Sequence, residues 1–548
     1  MYKNILVKRE ENLLTKNWII VVLLIIGTTL LYSYNLELRS YTNDELGTIL
    51  TGNMNLNDLW NTVRSIDIHP PTHYIIIHYL IQLFGMNVWI LRFSSIIPIL
   101  ILIPVLYSNL SKKFSKSIAI QSILLIILSP NILYYSRMVR YYSWALLFAI
   151  VSIILFIKLL ESLNPKNSMV FILSTALLFY FQYLTFFLVV IAEILFWVII
   201  HVKNYPAGKN KELKKWLAII VCIFLLILPF LISVTINQFS TQFSINQKLS
   251  SSNSSIGFNL TGMILAFLYP LYSITFSQNF FPWEIIYTIP VLAITIFILF
   301  NVKNIFANNK NYLVFVLVFI ILPLMLTAFL MSRTKISMAF AQSCVYTLFI
   351  VPIILVLYSI SIQSIKSKYL QKSIYYILLL FNIISIISYY NYHTALCWDP
   401  NWKEIAIYLE HKTNSSDIIV ANNPHHLIIK TSYLSYYLKR PTIDVLEDLP
   451  EITNNTYSQN CKKIVNMIVN KKINSIWVVK IIRLPGEVTY IEKVLAENGY
   501  KLTTKKGFWE IDKSTINYKK YLSLLSFLNY NSAPLNKYMV EVMYYKNK

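Results

Sequence analysis

Apolar segments long enough to cross a membrane recur from Asn17 to Tyr390 and constrain the fold more than any other feature of the sequence. A helix of roughly 20 apolar residues spans the hydrocarbon core of a bilayer. Of the 548 residues, 56% are hydrophobic and 13% are charged, whereas about 25% of the residues in a typical soluble domain are charged. The sequence therefore predicts an α-helical polytopic membrane protein.

Short lysine-rich loops between these segments set the predicted topology, because short cytoplasmic loops carry an excess of lysine and arginine. Placing all of them inside requires that neither Thr72–Phe84 nor Leu260–Phe276 crosses the membrane. About eleven crossings of spanning length then remain, with the N-terminus inside and the region after the last span outside. The lysines that define the cytoplasmic loops are Lys112, Lys113 and Lys116, those in the stretch from Lys203 to Lys215, Lys303 and Lys310, and Lys366, Lys368 and Lys372.

The last part of the chain is polar and alternates strand and helix patterns, which is typical of a soluble α/β domain. Gly499 is suited to end a helix there. We predict a transmembrane domain at residues 1–390 and an extracytoplasmic α/β domain at residues 391–548. The elements predicted in the second domain are a helix at 402–411, strands at 417–421 and 474–480, and a helix at 487–498.

The formal net charge of +23 does not indicate a nucleic-acid partner, because the basic residues lie mostly in short loops between apolar segments. In that position they set topology and contact anionic membrane lipid. The four cysteines show no metal-ligand spacing, although Cys397 and Cys461 could form a disulfide. The chain has no P-loop and no convincing GxGxxG, so no nucleotide-binding fold is predicted.

Two adjacent carboxylates in the first predicted outer loop, Asp44 and Glu45, are the candidate catalytic residues. One can act as a general base while the other tunes or positions it. The alternative is an acidic pair that opens a surface helix, where it favours the positive end of the helix dipole. The pair could also hold a divalent cation, although no further ligand set accompanies it, so no cofactor is assigned.

The same loop continues with Asp67 and His69, directly before two consecutive prolines. Tandem prolines fix the backbone and begin a helix well. His69 is therefore expected to be held rigidly at the mouth of a membrane helix, and the alternative is a turn with an interfacial histidine.

Arginines in the second predicted outer stretch are candidates for binding an anionic phosphate. Arg137 and Arg140 are three residues apart, so on a helix they would share a face. Arginines inside or beside membrane segments are costly and tend to be functional, and guanidinium binds phosphate bidentately. Snorkelling into an aromatic belt is the alternative. Arg333 lies in a further basic loop and is either a substrate ligand or an ordinary loop charge, and Arg92 is expected to be structural or lipid-facing.

Taken together, these motifs resemble the GT-C superfamily of glycosyltransferases, and especially family 39-type members such as protein O-mannosyltransferases and lipid A aminoarabinose transferases. Members carry an Asp-Glu pair in the first outer loop, then a His- or Lys-Pro-Pro motif, and later an Arg-x-Tyr after a Ser-Pro segment. The matching residues are Asp44-Glu45, Asp67, His69-Pro70-Pro71, Phe84-Gly85, Arg92 and Arg140-Tyr141-Tyr142.

Three positions depart from the family pattern. Met138 stands where an acidic residue often precedes the Arg-x-Tyr motif, and Thr72-His73 replaces a Leu-Tyr pair. The segment FAQSCVY lacks the late Arg-Tyr that is common in relatives. These departures bear on the substrate more than on the class of enzyme.

The resemblance implies transfer of a monosaccharide from a polyprenyl-phosphate donor to an extracytoplasmic acceptor, which would be a protein, a lipid or a cell-envelope glycan. The lipid tail of the donor would lie between the spans, and Asp44 would act as the base. Stabilisation of the leaving phosphate would come from His69, Arg137 and Arg140. The other substrate-binding residues implied are Asp67, Tyr142 and Arg333.

Other classes of protein share some of these features. A transporter or flippase for lipid-linked saccharides would more often show repeat symmetry and glycine- or proline-broken helices near the midplane, and this chain has only 10 glycines. A polysaccharide ligase or polymerase would use similar lipid-linked sugars. A structural membrane protein with an outer binding domain would be unaffected by replacement of Asp44 with Asn, which should abolish transfer in an enzyme.

Overall fold

A computed structural model describes most of the chain as helices with a small sheet near the C-terminal end. The described residues are 2–37, 39–65, 69–203, 210–235, 260–276, 296, 310–332, 339–391, 402–422, 433–438, 442–444, 454–482, 488–508 and 539–547. The chain divides into two compact units. The first comprises Met1–Leu36 and Thr48–Tyr392, and the second comprises Glu37–Gly47 and His393–Lys548.

Helices make up the first unit, and helix α2 contains the boundary between the units. In chain order they are α1 (Tyr2–Ser33), α2 (Asn43–Gly52), α3 (Leu56–Ser65), α4 (Thr72–Phe84), α5 (Val88–Lys113), α6 (Lys116–Ile127), α7 (Pro130–Ser136), α8 (Tyr142–Glu161), α9 (Pro165–Phe181), α10 (Tyr183–Lys203), α11 (Asn210–Phe230), α12 (Leu260–Phe276), α13 (Lys310–Val316), α14 (Leu322–Ser332), α15 (Ala339–Tyr346), α16 (Ile350–Gln363) and α17 (Lys368–Asn391). Single π-helical turns follow α11 and join α13 to α14 (Leu231–Thr235 and Leu317–Ile321).

Among the described residues, six helices are long and apolar enough to cross a membrane, or seven if the bent pair α6 and α7 is one span. The protein is thus a multi-pass membrane protein, as its sequence predicts. The number of about eleven crossings rests partly on segments outside the described residues and stays a prediction. Helix α4 has 13 residues and is shorter than a spanning helix, which suits its predicted place at the membrane surface.

Local sequence signals explain where several helices begin. The side chains of Asn87, Ser115 and Asn164 accept hydrogen bonds from the backbone three residues later, at 3.1, 3.2 and 2.8 Å, and so cap α5, α6 and α9. Helix α7 begins at Pro130, a residue that suits the first helical position, and lies at 57° to α6.

The second unit contains a five-stranded mixed sheet with the order β2-β1-β3-β5-β4. Strands β1, β2 and β3 are parallel, and β5 pairs antiparallel with β3 and β4. The strands are β1 (Ile418–Asn422), β2 (Ile443–Asp444), β3 (Ser475–Ile482), β4 (Tyr500–Phe508) and β5 (Met539–Asn547). The helices are α18 (Trp402–Lys412), α19 (Tyr433–Leu438), α20 (Asn454–Asn470) and α21 (Tyr490–Glu497).

The elements predicted for this domain from sequence are present with small shifts at their ends. The predicted strands at 417–421 and 474–480 correspond to β1 and β3. The predicted helix at 487–498 is α21, which Thr489 and Glu492 cap reciprocally and which Gly499 follows with a φ of 84°. The thiol of Cys461 is free and buried, and Cys397, the disulfide partner considered for it, lies outside the described residues.

A buried ion network lies beside the core of this sheet. The Lys480 ammonium contacts the carboxylates of Glu492 at 2.8 Å and Glu541 at 3.1 Å, and its side chain is only 1% exposed. Lys505, which is 39% exposed, contacts Glu541 at 2.7 Å. Removing Lys480 from this network is costly, because both carboxylates lose their buried counter-ion and Glu541 keeps only the more exposed Lys505.

Candidate functional site

Arg140 is the centre of the first group of candidate residues, which lies in the first unit. Its guanidinium is 5% exposed and donates from Nη1 to Thr48 Oγ1 at 2.9 Å and from Nε to Tyr142 Oη at 3.4 Å. The same group lies 5.0 Å from the ring centre of Tyr141 and 5.6 Å from that of Tyr142. Ser95 also donates to the Arg140 carbonyl at 3.3 Å. Side chains from two segments of the chain therefore hold the charge in place, and Ser95 holds the backbone of the same residue.

Two histidines face the same aromatic side chain. His69 Nδ1 and the Tyr141 hydroxyl share a hydrogen bond of 3.0 Å, and the His73 ring lies edge-on to Tyr141 at 6.4 Å. Burial raises the pKa of Tyr141, and the adjacent Arg140 opposes that shift. The structure therefore brings both His69 and Arg140 next to one tyrosine that stays protonated.

His73 is buried and lies on α4, outside the spanning helices. Neither of its ring nitrogens makes a hydrogen bond of normal geometry within the described chain. Burial and, to a smaller extent, the Arg140 guanidinium lower the pKa of His73 to about 3, while the backbone of Val139 opposes the change. His73 is consequently a neutral imidazole beside a fixed positive charge.

Arg137 has different neighbours from Arg140. Its Nη2 donates to the Tyr34 carbonyl at 2.7 Å, and its guanidinium lies 5.2 and 4.7 Å from the ring centres of Tyr389 and Tyr390. The side chain is 6% exposed, yet Nε and Nη1 have no hydrogen-bond partner among the described residues. Buried donors of this kind are normally satisfied, so Arg137 keeps unused capacity for an anion.

The expectation that Arg137 and Arg140 share a helical face is wrong. Helix α7 ends at Ser136 and α8 begins at Tyr142, so both arginines lie in a non-helical link. The i, i+3 rule applies only within a helix. The link instead directs Arg137 to the end of α17 and Arg140 to α2.

Asp44 and Glu45 lie in the first turn of α2, within the second unit. The Glu45 carboxylate accepts from the Thr42 amide at 2.9 Å, and the Thr42 hydroxyl accepts from the Glu45 amide at 3.2 Å. This reciprocal pair is a capping box. Glu45 is 1% exposed whereas Asp44 is exposed, so the two carboxylates have different environments.

The segment before this helix packs on other parts of the second unit. The Tyr41 amide donates to the Tyr437 hydroxyl at 2.6 Å, and the Tyr41 ring lies edge-on to Tyr436 at 6.0 Å. Lys403 donates to the Glu37 carbonyl at 2.9 Å. Residues of the C-terminal region thus hold the segment that carries the acidic pair.

The remaining predicted residues have mixed outcomes. Tyr142 contacts Arg140, as described above. Arg92 is buried and donates to the Leu36 carbonyl at 2.5 Å, which fits the expected structural position better than a lipid-facing one. Asp67 and Arg333 lie outside the described residues. Within the described ranges, no group of three histidine, cysteine or acidic side chains could hold a metal ion.

Sequence reasoning missed the residues that orient the arginines. Thr48, Tyr141 and His73 touch or flank the Arg140 group, and Tyr389 and Tyr390 flank Arg137. Two of them left a signal in the sequence: Tyr141 belongs to the Arg140-Tyr141-Tyr142 motif, and His73 departs from the family pattern after the paired prolines.

Comparisons with known proteins agree with the resemblance seen in the motifs. Residues 68–232 match the model of the family described as dolichyl-phosphate-mannose-protein mannosyltransferase. This region contains His69, His73, Arg137 and Arg140. The match confirms that the chain resembles GT-C glycosyltransferases, and no curated protein sequence matches it.

Several solved structures align with the chain at low identity. ArnT from Cupriavidus metallidurans bound to undecaprenyl phosphate has a TM-score of 0.48 and 11% identity, with 95% of this chain and 97% of that chain covered. The apo state of ArnT gives a TM-score of 0.49 and 11% identity, with coverage of 96% and 98%. The Archaeoglobus fulgidus oligosaccharyltransferase, in complex with Zn and sulfate, gives 0.48 and 11%, with coverage of 84% and 68%.

Proposed function

We propose that this protein is an integral membrane glycosyltransferase that moves a monosaccharide from a polyprenyl-phosphate donor to an extracytoplasmic acceptor. The observation that carries the proposal is the pair of buried guanidinium groups, Arg137 and Arg140, inside the region that matches the mannosyltransferase model. The description of that family names a dolichyl-phosphate sugar as donor and a protein as acceptor. A lipid phosphate is the ligand that such guanidinium groups suit.

The two arginines would divide the binding of the donor phosphate. Arg137 offers two buried nitrogen donors with no described partner. Arg140 is already oriented by Thr48 and Tyr142, so it costs little reorganisation when charge develops on the leaving phosphate. His69 is held by Tyr141 and would add a third polar contact at the same end of α4.

The proposed reaction is a displacement at the anomeric carbon. Asp44 takes the proton of an acceptor hydroxyl, the hydroxyl oxygen bonds to the anomeric carbon, and the bond from that carbon to the phosphate oxygen breaks. The polyprenyl phosphate leaves with the electron pair, and the arginines stabilise its negative charge. Asp44 suits the part of base better than Glu45, because Glu45 is buried and occupied in a capping box.

The decisive experiment separates the base from the phosphate ligand. Asp44→Asn should stop sugar transfer while donor binding stays within about twofold of the normal value, because a general base acts in the transition state. Arg140→Ala should weaken both donor binding and transfer, because the guanidinium acts in the ground state as well. Asp58→Asn, at an exposed carboxylate in the first turn of α3, is the matched control.

The assay is donor binding and single-turnover transfer from a polyprenyl-phosphate sugar in liposomes. Normal turnover in Asp44→Asn would remove Asp44 from the role of base. Movement of the lipid-linked sugar across the bilayer without transfer would instead support a transporter or flippase. If transfer stopped in EDTA and returned when a divalent cation was added, the result would favour a cation bound by Asp44 and Glu45 over metal-free base catalysis.

A further inference from the structure

A large cavity lies between the ends of the first unit's helices that carry the lysine-rich loops. Its volume is about 900 Å³, at the upper end of the range for small-molecule sites. It is enclosed by the C-terminal halves of α5, α8 and α10, the start of α13, and α16. Its apolar wall includes Leu106, Ile150, Ile154, Phe196, Phe315 and Val356.

Basic side chains gather at one end of this apolar cavity. Lys112, Lys113 and Lys158 line it together with a single acidic residue, Glu161. The only ion pair among these four within the described residues joins Lys113 to Glu161 at 3.8 Å, with side chains 45% and 69% exposed. Such an exposed pair contributes little, so the mouth keeps a net positive charge.

The cavity is far from the arginine and histidine group. Helix α8 begins at Tyr142, next to Arg140, and ends at Glu161 in the cavity mouth. Its 20 residues rise by about 1.5 Å each, so the two ends are about 28 Å apart. A phosphate at Lys158 therefore cannot be the phosphate that is proposed to sit at Arg140.

We propose that this cavity binds one anionic membrane phospholipid, with an acyl chain in the apolar part and the phosphate at Lys112 and Lys158. An apolar wall of this size favours a hydrocarbon occupant over water, and the bilayer supplies one at that depth. The lysines select the headgroup, because a net negative lipid is attracted to them whereas the ammonium of a zwitterionic lipid is repelled.

The experiment counts lipids bound to the full-length protein by native mass spectrometry after exchange into nanodiscs. The nanodiscs contain either phosphatidylglycerol or phosphatidylethanolamine. We expect one retained phosphatidylglycerol and no retained phosphatidylethanolamine. The double variant Lys112→Ala, Lys158→Ala should bind phosphatidylglycerol about 25-fold more weakly, since a surface lysine contributes about fivefold to binding an anionic lipid.

Two matched controls test whether loss of lipid binding is specific to the cavity. Lys116→Ala, Lys166→Ala makes the same charge change at exposed lysines in the first turns of α6 and α9 and should leave binding unchanged. Ile154→Trp fills the cavity and should abolish retention, whereas Leu195→Trp adds the same ring at a 39% exposed position and should not. Thermal stability measured on each variant separates loss of lipid from loss of fold.

Three results would overturn the proposal. Equal retention of phosphatidylglycerol and phosphatidylethanolamine would show that the lysines do not distinguish between the two headgroups. Retention in Ile154→Trp would place the lipid elsewhere. Displacement of phosphatidylglycerol by stoichiometric polyprenyl phosphate would assign the cavity to the donor's own tail, while leaving the proposed transferase reaction standing.

Discussion

Thr48→Val tests whether Arg140 must be held in place to act on a phosphate. Valine keeps the size and branching of threonine but removes the hydroxyl that accepts the 2.9 Å hydrogen bond from Arg140 Nη1. Both side chains are buried, with Thr48 1% and Arg140 5% exposed, so water cannot readily replace the lost acceptor. A hydrogen bond to a charged group contributes about 1.5–3 kcal/mol.

The predicted loss in kcat/KM for sugar transfer is therefore about 10-fold to about 150-fold, taking about 1.36 kcal/mol for each factor of ten. Thr48→Ser keeps the hydroxyl and should retain most of the activity. If Thr48 acted only through its methyl group, Thr48→Ser would instead lose activity. Thr51→Val changes another buried threonine of α2 and should have little effect. The assay is single-turnover transfer at several donor concentrations, with thermal stability measured in parallel. Transfer within twofold of wild type in a stably folded Thr48→Val protein would refute the idea that this contact positions Arg140.

Two further predictions concern stability. Lys480→Met should destabilise the second unit by about 3–5 kcal/mol, because Glu492 and Glu541 lose their buried counter-ion. Lys505→Met, at a 39% exposed lysine, should cost at most about 1 kcal/mol. Chemical unfolding of the full-length protein, followed by proteolysis of this region, measures both costs, and equal costs would contradict the prediction. The pKa of His73 lies near 3 in the folded protein, below its ordinary value of 6.5, so the unfolded chain binds more protons between these values and the stability of the fold decreases as the pH falls from about 6.5 toward 3. His73→Asn should therefore reduce the dependence of the free energy of unfolding on pH in this range. His411→Asn, at an exposed histidine of α18, should leave that dependence unchanged. The same pH dependence in His73→Asn as in wild type would show that His73 does not cause it.

Features governed by local sequence were predictable, and those governed by tertiary contacts were not. Helix α18, strands β1 and β3 and the helix ending before Gly499 follow from periodicity and capping, which act over a few residues. The break between α7 and α8 did not follow, because the tyrosines and arginines of this stretch are compatible with a continued helix. Contacts from Tyr34, Thr48 and Tyr389 decide where the two guanidinium groups lie.

The acidic pair Asp44 and Glu45 also has features that the sequence predicts and features that depend on tertiary contacts. The spacing of Thr42 and Glu45 is that of a capping box, so the structural role of Glu45 could have been read from the sequence. The sequence did not reveal that Glu37–Gly47 belongs to the same compact unit as the C-terminal region. That assignment depends on contacts between distant residues, such as the hydrogen bond from the Tyr41 amide to the Tyr437 hydroxyl, 396 positions later in the chain.

The contrast between Arg137 and Arg140 has a consequence for how a lipid phosphate would be held. Arg140 already donates to a threonine and a tyrosine hydroxyl, so its guanidinium is oriented before any phosphate binds. Arg137 lies near two tyrosine rings and donates to one backbone carbonyl, with two donors unused among the described residues. Buried polar groups are normally hydrogen-bonded, so the two unused donors of Arg137 favour an anionic ligand as their partner. A lipid phosphate would then gain new hydrogen bonds mainly from Arg137, whereas Arg140 would act through a guanidinium that is already oriented.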